Sequence, residues 1–212
     1  MIGWFMLLNN PESRETGACS GNVEPEYSVI VTCLNEESSI DEFCSRLFAT
    51  MDRIGRPYEV VVVNDGSTDA TGDRLLKVFH DNSQVVFLDF EKNAGQWTAI
   101  SAAISASRGK HFVFSDSDLE VPPEDLFLLH EAFQAGADSV AGMRKRRRDG
   151  PWRRFLSLFG NASLRWLLGI RNRDIGCGLK ILHGDLIRSL TVAPNLPFCP
   201  LSMFARARKS VD

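Results

Sequence analysis

Asp116, Asp118 and Glu120 are carboxylates at alternate positions, directly after the apolar run His111-Phe112-Val113-Phe114. Side chains at i, i+2 and i+4 of an extended chain share one face, so the spacing predicts that the three converge. Such a cluster suits a hard divalent cation, Mg²⁺ or Mn²⁺, with water and phosphate filling the remaining positions. The same residues also read as a solvated acidic turn leading into a helix, because Pro123-Glu124-Asp125 is a helix start. Two further apolar runs end in polar turns, at Asn35-Glu36-Glu37 and at Asn64-Asp65-Gly66-Ser67. Asp65 could accept hydrogen bonds from a nucleobase, and Glu36 could take a ribose hydroxyl or a base N–H. The second turn equally reads as a tight turn with a helix cap at Thr68 or Asp69.

The elements that must position these groups follow from the apolar pattern. Buried strands are expected at 27–34, 59–63, 85–88 and around Phe112, with a short one at 139–141. Helices are expected between them. Ser39-Ile40-Asp41-Glu42 reads as a capping box ahead of a stripe of Ile40, Phe43, Leu47 and Met51. Others fall around Leu75 to Phe79, at 96–107, and from Pro123 to about Ala135. Strands alternating with single helices predict an α/β fold, a Rossmann-like, mostly parallel sheet with helices on both faces. The acidic turns then line one sheet edge, where a single ligand could reach all three. No GxGxxG or GxxxxGK[ST] is present, so neither a dinucleotide loop nor a P-loop is supported.

Composition places further bounds. The 212 residues are 44% hydrophobic and 24% charged, as in ordinary globular proteins, and suffice for one core. Five scattered cysteines without a CxxC pair suggest neither a disulfide framework nor a zinc site. The net charge of −3 hides a division. Residues 1–143 carry 9 Lys+Arg against 23 Asp+Glu, whereas residues 144–212 carry 15 against 4. That asymmetry predicts an anionic partner for the C-terminal third. Arg144-Lys145-Arg146-Arg147-Arg148 precedes an expected amphipathic helix carrying Trp152, Phe155, Phe159 and Trp166. This segment reads as a solvated loop, a nucleic-acid patch or a surface lying on an anionic membrane. No stretch supplies the ~18–20 continuous apolar residues of a membrane span. The four histidines read as isolated structural residues.

Ser28–Glu37, Val61–Asp69, Lys92–Ile100, Phe112–Pro123 and Arg173–Lys180 together resemble glycosyltransferase family 2, in its dolichol-phosphate mannosyltransferase-like, polyprenyl-phosphate branch. The resemblance implies the GT-A nucleotide-diphospho-sugar fold over residues 27–190. Residues 1–26 are then a flexible lead-in, 144–171 a basic acceptor and membrane-facing segment, and 191–212 an atypical, shortened tail. It also implies site residues. Glu36, Asp65, Asn93 and Asp116 contact the nucleotide, and Asp116, Asp118 and Glu120 the metal. Arg144, Arg153 and Ser157 hold the acceptor phosphate. Asp118, Arg144 and Lys180 act in catalysis, Lys180 by meeting the donor diphosphate. Thr32 and Leu34 stand where the family commonly has Pro and Tyr, which predicts a different stacking arrangement on the base.

The implied reaction moves a hexose from a GDP-mannose or UDP-glucose type donor to a polyprenyl (dolichyl or undecaprenyl) phosphate, with inversion. A phosphomonoester, with a second pKa of about 6, is already anionic at neutral pH, so no general base is needed. Neither the Glu-Asp base motif nor the QxxRW motif of processive members is found. The implied setting is the cytoplasmic face of an anionic membrane, with peripheral contact and no nucleic acid. Two other classes remain: a nucleotidyltransferase, for which a Gly-rich triphosphate loop is missing, and a shortened homologue that binds nucleotide-sugar or membrane without turnover.

Overall fold

The computed structural model describes residues 24–79, 82–137, 139–142, 177–191 and 210–211. Its centre is a seven-stranded sheet in the order β3-β2-β1-β4-β6-β5-β7. The strands are β1 (Tyr27–Cys33), β2 (Tyr58–Asn64), β3 (Val85–Asp89), β4 (His111–Asp116), β5 (Ser139–Ala141), β6 (Lys180–His183) and β7 (Ser210–Val211). β1 lies between β2 and β4, parallel to both, with Tyr27 opposite Tyr58 on one side and His111 on the other. β6 runs antiparallel between β4 and β5.

Period-2 alternation sorts the strand residues onto two faces, and both are buried, as in a parallel sheet covered by helices. Tyr27, Val29, Val31, Val60, Val62, Val113 and Ile181 face one layer. That layer is α1 (Ile40–Ile54), α2 (Thr71–Phe79) and α4 (Leu126–Gln134), whose Phe43, Leu47, Met51, Leu75, Leu126 and Phe133 fill the core. Ile30, Val61, Val63, Phe112, Phe114 and Leu182 face the other. There α3 (Gln96–Ala106) packs its small Ala99 and Ala103 close to the sheet, and α5 (Gly184–Thr191) adds Ile187.

Among the described residues, the expected strands and helices stand within a few residues of their predicted bounds. β6 and α5 were not expected, since Lys180–His183 is four residues long and Gly184 interrupts the pattern. Gly184 is required there: a Cβ would overlap the Lys110 carbonyl, to which the Gly184 N–H donates at 3.0 Å. The capping box is corrected. Ser39 has helical backbone angles and makes no side-chain cap; its Oγ instead donates to Glu36 Oε2 at 2.7 Å. Of the four histidines read as isolated, three are not, and His80 lies outside the described residues. His111, His130 and His183 gather around Tyr27 and Phe133, with the His111 and His183 rings 4.5 Å apart. The residues expected at the acceptor phosphate, Arg144, Arg153 and Ser157, lie outside the described residues, as does the segment expected to form the Trp/Phe-rich helix.

At the opposite edge from the polar turns, Glu59 is fully buried and saturated with donors. Ser28 Oγ, Arg108 N and Gly109 N donate to its Oε1 at 2.6, 2.5 and 3.1 Å, and Arg108 Nε to Oε2 at 3.2 Å. A buried carboxylate is tolerated only when paired in this way. It fixes the turn that starts β4.

Candidate functional site

β2, β1 and β4 are adjacent and parallel, so their C-terminal ends bring the three polar turns to one edge. The chain leaves β1 for opposite neighbours on its two sides, which makes the β1/β4 boundary the switch point of the sheet.

The first two turns are tied to each other by their own side chains. Asn35, with a left-handed φ of 57°, accepts at Oδ1 from Thr68 N at 2.8 Å, and its own N–H donates to Ser67 Oγ at 2.9 Å. Glu36 N donates to Thr71 Oγ1 at 2.8 Å, and Glu37 Oε2 accepts from Ala70 N at 3.0 Å. Asp69 accepts from Thr71 N and Oγ1, and from Glu37 N at 3.2 Å. Burial opposes ionisation of Asp69, but these donors outweigh it and hold its carboxyl below the usual range. The helix cap expected at Thr68 or Asp69 stands at Asp69, whereas the bonding of Ser67 and Thr71 was not singled out. Their signal is the run of short hydroxyl and acid side chains, which bond to backbone locally.

Asp65 is 4% exposed, and both its oxygens are engaged by backbone. Oδ1 accepts from Ala94 N at 2.8 Å and Oδ2 from Gly95 N at 3.1 Å. Asn93 is exposed on the same connection, with its backbone N packed against Gly66. Glu36 is half-buried, its carboxylate held by Ser39. Cys33 sits beneath these turns. Burial pushes its thiol up to about 12, opposed by a hydrogen bond with Ser117 and reinforced by Glu36, so it is not a nucleophile at neutral pH.

At the third turn, strand alternation stops sooner than expected. β4 ends at Asp116, and Leu119 takes a left-handed φ of 57°. The expected i, i+2, i+4 convergence through Glu120 is therefore corrected. Asp118 and Glu120 are exposed, and Asp118 Oδ1 accepts from Glu120 N at 2.9 Å, closing a turn. Among the described residues no three His, Cys, Asp or Glu side chains form a group that could hold a metal ion. The hard oxygens of Asp116 and Asp118 still fit Mg²⁺ or Mn²⁺, which commonly takes one or two carboxylates and completes its shell with water and phosphate.

Asp116 is met from two sides. Gln96 Nε2, in the first turn of α3, lies 3.5 Å from its Oδ1. Gly178 packs so closely that a Cβ there would overlap the Asp116 carboxylate. Lys180 follows on β6, nearly buried and paired with Phe114 across the ladder. Phe114 and Asp116 are two apart on β4, so Lys180 rises from the same face as Asp116. Leu34 and Trp97 are the large apolar side chains exposed nearest these turns in the chain, at 43% and 39%.

Among the described residues no helix is long and apolar enough to cross a membrane. The family model described as "Glycosyl transferase family 2" matches residues 28–212. The chain is 34% identical over 187 residues to the undecaprenyl-phosphate 4-deoxy-4-formamido-L-arabinose transferase of Pseudomonas aeruginosa (strain PAO1), covering 87% of this chain and 55% of that protein. It is 32% identical to the transferase of the same name from Edwardsiella ictaluri, over 87% and 58%. It thus spans little more than half the length of these relatives. Among solved structures, glucosyl-3-phosphoglycerate synthase of Mycobacterium tuberculosis superposes with a TM-score of 0.61 at 24% identity, over 78% of this chain and 60% of that one. TarS 1–349 of S. aureus in complex with UDP superposes with a TM-score of 0.56 at 21% identity, over 87% and 56%. Those two likenesses establish the fold.

Proposed function

The chain belongs to glycosyltransferase family 2 and has its GT-A fold, and from that premise we propose that it transfers a sugar from a nucleoside-diphosphate donor to a polyprenyl phosphate. The observation that carries the reading is the gathering of the Glu36, Asp65 and Asp116 turns on adjacent parallel strands at the switch point of the sheet. Support for a lipid phosphate acceptor comes from the relatives above 30% identity, whose names specify undecaprenyl phosphate. Their sugar, 4-deoxy-4-formamido-L-arabinose, joins the hexoses of the GDP-mannose and UDP-glucose type as a candidate.

In this reading Glu36, Asn93 and the turn at Asp65 bound the nucleoside, and Asp116 and Asp118 face the diphosphate. Asp116 and Asp118 would hold a Mg²⁺ or Mn²⁺ ion, which would supply positive charge to that diphosphate. Lys180 adds a second positive charge from β6, where negative charge builds on the leaving group. Arg144, Arg153 and Ser157 hold the acceptor phosphate, and Arg144 orients it for in-line attack on the anomeric carbon. The new C1–O bond forms as the bond to the nucleoside diphosphate breaks, with inversion. The nucleophile is already an anion, so the residues act by positioning and charge. The chain then works at the cytoplasmic face of an anionic membrane, in peripheral contact through the basic segment at 144–171.

The test is to incubate the full chain with labelled UDP-glucose or GDP-mannose, undecaprenyl phosphate in detergent, and Mg²⁺ or Mn²⁺. Label should pass into the organic phase in an acceptor-dependent manner and fall at least about a hundredfold in Lys180→Ala. Binding of neither UDP nor GDP by calorimetry, with or without metal, would sink the reading.

A further inference from the structure

β6 comes to the sheet from late in the chain and is four residues long, yet it carries Lys180 to the face of β4 that holds Asp116. It is seated on β4 through four antiparallel pairs: His111 with His183, Phe112 with Leu182, Val113 with Ile181 and Phe114 with Lys180. The candidate site stands at one end of this ladder, and two imidazoles stand at the other.

Those two rings share the face of the sheet that α4 covers. Their centroids are 4.5 Å apart at 87°, and the Phe133 ring lies 5.0 Å from His111 and 4.8 Å from His183. His111 is 6% exposed, and its Nδ1 has no hydrogen-bond partner among the described residues. An imidazolium donates from both nitrogens, so a charged His111 would bury a cation with one donor unmet. The surroundings do little to offset that. Lys110, just ahead of β4, adds positive charge, and Asp185 in the first turn of α5 opposes it with a smaller effect than burial, His183 or Lys110. Tyr27 on β1 presents a neutral ring, and its hydroxyl bonds to His130 Nδ1 of α4 at 3.0 Å. Glu26 and Arg56, nearer Tyr27, pair with each other at 3.7 Å. Two rings this close titrate as a pair, so a second proton meets the charge of the first.

We propose that the His111–His183 pair is a proton-sensitive catch on β6: with both rings neutral the strand is seated on β4, and protonation of the pair releases it together with Lys180. The catch stands on the packing of the sheet, and only its consequence for the donor rests on the function proposed above.

The direction follows from where His111 takes up its proton. Seated, burial and its neighbours hold it to about 4; released, an imidazole titrates near 6.5. The released state binds the extra proton between these values, so seating is favoured above about 6.5 and lost as pH falls towards 4. One proton taken up on release raises the opening equilibrium about tenfold per pH unit.

The experiment measures hydrogen exchange of the full chain from pH 7 to pH 5, without nucleotide and corrected for the intrinsic pH dependence of exchange. Opening of residues 180–183 should grow about tenfold per unit below pH 6, while Val60–Val63 of β2 stay protected. His111→Leu removes the buried titrating ring and should cut that slope to about threefold per unit or less. His183→Leu removes the neighbouring charge and should leave opening at pH 5 below that of the unmodified chain. It also keeps the test decisive if His111→Leu does not fold. Opening at 180–183 that ignores pH, an equal rise at Val60–Val63, or a slope unchanged in the variants overturns the catch. Calorimetric titration with UDP and with GDP at pH 7 and pH 5.5 follows. The unmodified chain should lose affinity by a larger factor than His183→Leu, since titration of the nucleotide itself is common to both. An equal loss in the two overturns the link from the catch to the donor. If the unmodified chain binds neither nucleotide at pH 7, the donor-site reading fails, and the exchange arm by itself decides for or against the catch.

Discussion

Gly178 shows how much a single missing side chain can decide. Its Cα lies where any Cβ would overlap the Asp116 carboxylate, so Gly178→Ala must displace either Asp116 or the start of β6. On the proposed site, Gly178→Ala should keep the fold and lose metal-dependent nucleotide binding by about tenfold or more, read by calorimetry beside Asp118→Asn as the control for the proposed metal ligand. At the other end of β4, His111 controls a different property. Burial, then the neighbouring His183 and Lys110, drive its pKa down to about 4, with Asp185 opposing. In the unfolded chain it titrates near 6.5. Between those values the unfolded state binds the extra proton, so the stability that a neutral His111 permits is intact above 6.5 and is lost as pH falls towards 4. The loss should approach roughly 3 kcal/mol, seen as a falling urea midpoint from pH 7 to pH 4.5 that is flattened in His111→Leu. The other rings facing it, Tyr27 and Phe133, carry no charge at neutral pH, and burial also lowers the pKa of His130, which bonds to Tyr27.

Among the elements, the strands and helices from β1 to β5 were legible because each run has one period and a clear stop, as in Val60–Val63 before Asn64. The turn residues were legible by type but not by partner. Asp65 reads as a ligand contact from its carboxylate; that its oxygens also accept from Ala94 and Gly95 depends on a chain separation of about thirty residues. Glu120 was misplaced for a related reason, since alternation was carried past the end of β4 into a turn that Leu119 closes with a positive φ. Glu59 was invisible as an anchor, being a charged residue in an apolar strand with no local sign of Ser28, Arg108 and Gly109 around it. Removing that charge tests the element it fixes. Glu59→Gln sets an NH₂ against Arg108 Nε and should cost about 2–3 kcal/mol in urea unfolding, with the earliest loss of amide protection at the start of β4.

For the molecule as a whole, charge is divided along the chain, with residues 144–212 carrying 15 Lys+Arg against 4 Asp+Glu. If that segment meets an anionic bilayer, the chain should sediment with phosphatidylglycerol vesicles and not with neutral ones. Replacing Arg146, Arg147 and Arg148 by Ser should weaken the partition by about 1 kcal/mol per residue at low salt. The strand order has a consequence on another axis, that of time during synthesis. β1 finds β2 across a single helix, but its other edge waits for β4, since Tyr27 pairs with His111, 84 positions later. At about 5–20 residues per second on a ribosome, that edge of Val29, Ile30 and Val31 stands open for several seconds or more. Nascent chains stalled near residue 100 should therefore be captured by chaperones or aggregate, and release of twenty to thirty more residues beyond the tunnel should end it.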